Sequence, residues 1–158
     1  MRKATNASAL KIQAQLGNDF EVLEFTESTR TAEEAAAAIG CSVAQIAKAL
    51  IFRTADTSQS VLVVASGPNR VDEKKIAQQV GEKIVRADAD FVRAKTGYAI
   101  GGVPPVGHAT PPIVLLDEDL LEFDSIWAAA GTPNAVFNLT PVQLQQLTQG
   151  KFVDTAKR

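Results

Sequence analysis

Ile46-Ala47-Lys48-Ala49-Leu50-Ile51-Phe52-Arg53 and Val61-Leu62-Val63-Val64-Ala65 carry the architecture of this chain. The first stretch reads as a strand, with Ile46, Lys48, Leu50 and Phe52 sharing one face. The second is an unbroken apolar run, which predicts a central strand covered on both faces. Thr54 to Ser60, between them, is polar and of a length suited to a surface hairpin connection.

Upstream, Thr31 and Glu34 form a capping box ahead of the Ala35–Ala38 run, and Gly40 stands where a helix stops. Ser42 and Gln45 repeat the pattern, predicting a short helical turn that feeds into Ile46. An earlier helix through Leu10, Ala14 and Leu16 ends at Gly17, and Phe20–Phe25 reads as a short strand. Downstream, Asp72 and Asp88 cap two helices closed by Gly81 and Gly97, with Lys83–Arg86 a strand between them. Ile113–Leu116, Ser125–Ala130 and Ala135–Leu139 are further strands, the last two joined by a Gly131-Thr132-Pro133-Asn134 turn. Thr140, Pro141 and Gln143 open a last helix, stopped at Gly150. Several helices interleaved with roughly seven strands predict one mixed-sheet α/β or α+β domain over residues 1–158.

The 158 residues are 46% hydrophobic and 22% charged, the balance of a cored globular domain rather than a disordered or collagenous chain. One Cys and one His exclude a disulfide framework, a Cys-based zinc site and a His-rich metal site. No apolar run is long enough to span a bilayer, and no signal-peptide core follows Met1-Arg2-Lys3. A cytoplasmic location without a membrane partner is the expectation. The formal net charge of −2 argues against a protein that coats nucleic acid, though it says little about one cleft. Arg70, Lys74, Lys75, Lys83, Arg86, Arg93 and Lys95 fall in one stretch, interleaved with acids as on a helix surface, and also suit a modest phosphate-facing stripe. The acidic run from Asp117 to Asp124 reads as solvated surface.

Two features stand out chemically. Lys48 interrupts an apolar strand face; it either snorkels from a strand end or stands at the floor of a cleft, aimed at an anionic or carbonyl group. Gly101-Gly102-Val103-Pro104-Pro105-Val106-Gly107 admits no regular structure. It is either a tight structural loop or an array of backbone N–H groups for a carbonyl or oxyanion. His108 is the one imidazole available for acid–base work, or an exposed turn residue. Cys41 reads as an inert thiol and Trp127 as a core or rim aromatic. No Ser-His-Asp arrangement and no carboxylate cluster with metal-ligand spacing is present in the sequence.

Val43-Ala44-Gln45-Ile46-Ala47-Lys48-Ala49-Leu50-Ile51 resembles the Lys-bearing strand of the YbaK family of aminoacyl-tRNA editing proteins, which includes the editing insertion of bacterial prolyl-tRNA synthetases. Thr96-Gly97-Tyr98 followed by Gly101–Gly107 resembles that family's second signature, a Gly-x-x-x-Pro loop with Gly101 and Pro105 as its ends. The resemblance covers nearly the whole chain. It implies a compact, barrel-like mixed sheet surrounded by helices. It also implies metal-free, substrate-assisted hydrolysis without any cofactor, in trans, of the ester joining a wrong amino acid to tRNA, most often tRNA for proline.

Carried over by the resemblance, Lys48 orients the substrate's terminal adenosine and phosphate or carbonyl. Gly101 and Gly102 hold the reacting carbonyl through their N–H groups, stiffened by Pro104 and Pro105. Ile46, Arg30, Ala129 and His108 complete the expected substrate contacts. The chain departs from YbaK proper at Ala129-Ala130-Gly131, where the family carries Ser-Gly-Gly, and at Arg30, where it carries an aromatic. These departures count against the Cys-specific branch and suit a pocket tuned to another amino acid such as Ala, Ser or Thr; the expected side chain overall is a small one, Ala, Ser, Thr or Cys. The expected partners are the aminoacylated 3′ end of tRNA and prolyl-tRNA synthetase, with the chain itself a monomer or weak homo-oligomer. The rival expectations are a non-catalytic tRNA- or synthetase-binding module of the same fold and a small-molecule ester or amide hydrolase.

Overall fold

The computed structural model describes residues 1–27, 29 and 31–158. Its elements follow the local signals closely. Helix α1 spans Ala7–Leu16, capped by the Asn6 side chain. Strand β1 (Arg2–Lys3) precedes it, and β2 (Val22–Glu24) follows. Helix α2 spans Ala32–Ile39, with Thr31 accepting from the Glu34 amide and Gly40 in the left-handed conformation at its end. The Ser42–Gln45 capping box starts a single 3-10 turn, Val43–Gln45, which delivers the chain into β3, Ile46–Thr54.

Strand β4, Ser60–Ser66, pairs antiparallel with β3 over seven residues, from Ala47 opposite Ser66 to Arg53 opposite Ser60. Every residue of β4 is buried, as its apolar run predicts. Leu62 and Val64 face the larger core with Ile12, Leu116, Ile126 and Phe137. Val61 and Val63 face a smaller core with Ile76, Ile84 and Leu115. The predicted β3 alternation also holds: Leu50 and Phe52 pack on the smaller core, while Ala47, Ala49 and Ile51 pack on the larger.

The remaining elements are α3 (Glu73–Val80), β5 (Ile84–Arg86), α4 (Ala89–Thr96), β6 (Ile113–Asp117), β7 (Ile126–Ala129), β8 (Ala135–Leu139), α5 (Pro141–Thr148) and β9 (Lys151–Val153). They complete a mixed sheet in the order β1-β2-β8-β7-β3-β4-β6-β9, with β5 also paired to β3. β3 runs parallel to β7, β4 to β6, and β6 to β9; the other pairs are antiparallel. The mixed sheet with surrounding helices is the expected α/β architecture. Strands β1 and β9, not foreseen, extend its two edges.

The acidic run is corrected by the structure. Asp117 has no exposed surface, and Leu120 packs in the larger core. Asp117 caps a 3-10 helix, Glu118–Glu122, by accepting from the Asp119 amide. Only part of the run is therefore surface.

Candidate active site

Lys48 lies near the start of β3, where that strand leaves its short pairing with β7. It is half-buried, and its Nζ donates to the Gly67 carbonyl oxygen at 3.0 Å. Burial pushes its pKa below the ordinary lysine value, while the negative charges of Glu33 and Asp117 oppose that shift and Arg70 adds to it. The ammonium is thus anchored but not neutralised by a direct carboxylate contact among the described residues.

Two cavities meet at this side chain. The larger, about 730 Å³, is lined by Lys48, Leu50, Phe52, Asn69, Arg70, Glu73, Arg86, Ile100, Gly101, Val103 and Lys157, among others. Four cations against one carboxylate give it a positive balance that the acidic average of the chain conceals. The smaller, about 280 Å³, is lined by Phe25, Thr29, Thr31, Ala32, Ala35, Ile46, Ala129, Pro133 and neighbouring apolar residues. Lys48, Ala49, Leu50, Ile100, Gly101 and Val103 border both. One chamber with a basic balance therefore opens beside one small, alanine-walled chamber, with a lysine and a glycine at the junction.

Both threonine hydroxyls of the small chamber are engaged. Thr29 Oγ1 donates to the Pro133 carbonyl at 3.3 Å, and Thr31 Oγ1 accepts the Glu34 amide at 3.1 Å. Ile100 is 61% exposed, an apolar side chain held at the rim where both chambers open.

The Gly-Pro loop is corrected in one respect. The Gly102 N–H, expected to hold a substrate carbonyl, donates instead to the Ala99 carbonyl at 3.0 Å. The Gly102 carbonyl accepts from the Gly131 amide at 3.0 Å, and a Cβ at Gly102 would lie 2.7 Å from Thr132 Cα. Glycine is required here for close packing on the β7–β8 turn, and its donor is spent. The amides of Gly101 and Val103 have no acceptor among the described residues, and both residues border the junction.

Of the other expected site residues, Ile46 and Ala129 line the small chamber. Pro104 is buried under the loop. Pro105 and His108 line a third cavity, about 420 Å³, with Gln15, Pro111, Pro112, Val114 and Leu147 on the other side of the loop. His108 is half-buried there, with Nε2 2.7 Å from the Pro104 carbonyl, and burial lowers its pKa. Arg30 lies outside the described residues. Burial raises the Cys41 thiol pKa, in keeping with an inert thiol. Among the described residues no group of His, Cys, Asp and Glu is arranged to hold a metal ion, and no helix is long and apolar enough to cross a membrane.

Residues 26–147 match the model of the aminoacyl-tRNA editing domain. The chain belongs to the aminoacyl-tRNA editing family. It is similar to the uncharacterized protein YwhH of Bacillus subtilis strain 168, at 38% identity over 90% of this chain and 91% of that one. It is 27% identical, over 97% of this chain and 93% of that one, to EbsC of Enterococcus faecalis, named as a candidate Cys-tRNA(Pro)/Cys-tRNA(Cys) deacylase. A solved structure of a candidate trans-editing enzyme for prolyl tRNA synthetase superposes with a TM-score of 0.93 at 43% identity, covering 98% of this chain and all of that one. The YbaK-type resemblance of the chain is thereby borne out, and this editing-family chain is an aminoacyl-tRNA deacylase.

Proposed function

We propose that this deacylase edits, in trans and in the cytoplasm, tRNA(Pro) carrying a small wrong amino acid, with alanine favoured. The observation that carries the reading is the junction of a basic chamber and a small apolar chamber at Lys48 and Gly101. An aminoacyl-tRNA end has the same two parts, a phosphate-bearing nucleotide and an amino-acid side chain, joined at the ester. The terminal adenosine and its phosphates occupy the larger chamber, near Arg70, Arg86 and Lys157. The amino-acid side chain enters the smaller one.

Water attacks the ester carbonyl, the tetrahedral oxyanion forms, and the bond to the ribose oxygen breaks as that oxygen takes up the proton. An ester is already activated, so positioning and charge stabilisation suffice without a protein nucleophile. Lys48 supplies the positive charge at the junction. The Gly101 and Val103 amides supply the donors for the oxyanion, and the vicinal ribose hydroxyl helps orient the water. Oriented donors of this kind contribute about 3–4 kcal/mol each in comparable sites.

Alanine is favoured because the small chamber is walled mostly by alanines and other apolar side chains. A serine or threonine hydroxyl would exchange its water there for at most the remaining lone pairs of Thr29 and Thr31, whose own protons go to Pro133 and Glu34, at a cost of up to roughly 1–3 kcal/mol. Prolyl-tRNA synthetase is the partner this reading implies, since its mischarged product is the substrate.

The test is hydrolysis of tRNA(Pro) charged in turn with Ala, Cys, Ser, Thr and Pro. Fastest release of alanine, with prolyl-tRNA(Pro) spared, is the expected pattern. Tight tRNA binding without hydrolysis of any ester would favour a non-catalytic binding module instead. Equal hydrolysis of free aminoacyl esters would favour a small-molecule hydrolase.

A further inference from the structure

Asp117 closes β6 with no exposed surface. A buried carboxylate persists only when its oxygens are well supplied with donors. Its Oδ2 accepts the Ser66 amide at 3.0 Å and the Asn69 side-chain amide at 2.8 Å, and its Oδ1 accepts the Asp119 amide at 2.9 Å. Two of these donors belong to one turn, Ser66–Asn69, which is closed by the Asn69 amide on the Ser66 carbonyl at 2.9 Å. Inside that turn sits Gly67, whose carbonyl receives the Lys48 ammonium. The turn has no slack on its other side, because a Cβ at Gly67 would overlap the Val43 carbonyl oxygen.

We infer that Asp117 is a positioning residue for the reaction: through the Ser66–Asn69 turn it fixes the Gly67 carbonyl that aims Lys48 at the junction, and it supplies that ammonium with a buried negative charge. The inference rests on Lys48 being the anchor proposed above. The hydroxyl of Ser66, donating to the Ala44 carbonyl at 2.6 Å, ties the same turn to the segment that leads into β3. Lys48 is thus held from both the strand it sits on and the turn it reaches. The charged groups around Lys48 are Glu33 of α2, Asp117, Arg70 and, around the larger chamber, Glu73, Arg86 and Lys157. Among these Asp117 is fully buried, so its charge acts on Lys48 with little screening by salt.

Two variants weight charge and geometry differently. Asp117→Asn removes the charge and also turns one acceptor oxygen into a donor facing an N–H, so it disturbs the turn as well; Asn69→Ala keeps the charge and removes one turn donor, at a residue that also borders the larger chamber. An NMR titration of the Lys48 ε-methylene carbon in the free protein reads the charge effect without any tRNA. Steady-state deacylation of alanyl-tRNA(Pro) reads the positioning.

Asp117→Asn is expected to move the Lys48 midpoint to lower pH, move the alkaline limb of the rate the same way, and lower kcat/KM roughly tenfold. Asn69→Ala is expected to lower kcat/KM by roughly fivefold while moving the midpoint less. A folded Asp117→Asn protein whose Lys48 titration overlays wild type, or whose kcat/KM stays within twofold, overturns the inference. Should Asp117→Asn not fold, an unchanged kcat/KM in Asn69→Ala overturns it equally. If wild type deacylates no tRNA, the proposed function fails, while a midpoint shift in Asp117→Asn still stands as evidence for the charge pairing.

Discussion

Lys48 Nζ and the Gly67 carbonyl oxygen stand 3.0 Å apart, so the ammonium at the junction of the two chambers is held by a neutral acceptor and not by a carboxylate. Its pKa lies below the ordinary lysine value because burial outweighs the Glu33 and Asp117 charges. Deacylation that depends on the ammonium will therefore lose rate with rising pH earlier than an exposed lysine would dictate. A pH–rate profile of kcat/KM should show that alkaline limb in wild type. Lys48→Arg should move the limb out of range, at reduced rate, because a guanidinium stays charged but has a different shape.

Ala129 borders the small chamber without a hydroxyl. Ala129→Ser adds a further hydroxyl partner for a serine or cysteine side chain. The ratio of seryl- to alanyl-tRNA(Pro) hydrolysis should rise by about tenfold, the equivalent of one modest hydrogen bond. Ala129→Phe should fill the chamber and abolish hydrolysis of every ester while leaving affinity for uncharged tRNA within a few-fold. Competition binding measures the second quantity.

Arg70 and Arg86 border the basic chamber, and neither is needed for the core. If each meets one phosphate of the single-stranded tRNA end, Arg70→Ala or Arg86→Ala should flatten the plot of log KM against log salt by about 0.7 per residue. The plot should be shallow already in wild type, since the chain has few such cations. A nanomolar complex with uncharged tRNA at physiological salt would reveal a larger basic surface than this cleft.

His108 holds the far side of the loop through Nε2 and the Pro104 carbonyl, and its buried Nδ1 has no partner among the described residues. Its pKa in the folded protein is depressed, so the unfolded chain binds the proton more readily. Stability should then fall as pH drops through the unfolded histidine value of about 6.5, until the folded group is itself protonated. His108→Gln can still donate to Pro104 but does not titrate. Melting curves should show a smaller acid-induced loss of Tm in this variant than in wild type.

The elements that local chemistry specifies were readable in the sequence. The capping boxes at Ser42 and Thr140 form as their spacing requires, while at Thr31 only the hydroxyl cap forms and Glu34 bonds that hydroxyl in place of the backbone N–H; the buried β4 follows from its apolar run. Lys48 was legible because a cation on an apolar strand face needs a reason. The parts that escaped depend on long-range partners. Asp117 lay in a run whose composition suggests surface, and its partners Ser66 and Asn69 are distant along the chain. The Gly102 amide is spent on a turn that Gly-rich composition alone does not orient. Lys157 and Thr29 reach the two chambers from segments carrying no motif, and β1 and β9 are too short to announce themselves.

Single-turnover release of alanine from alanyl-tRNA(Pro), compared between wild type and Lys48→Ala, tests the central claim most directly. Lys48 is half-buried, so the variant should fold with a near-native Tm. Its rate should drop by about 100-fold or more, as for loss of a group that stabilises charge at a reacting carbonyl. A folded Lys48→Ala protein that releases alanine at the wild-type rate would contradict the account.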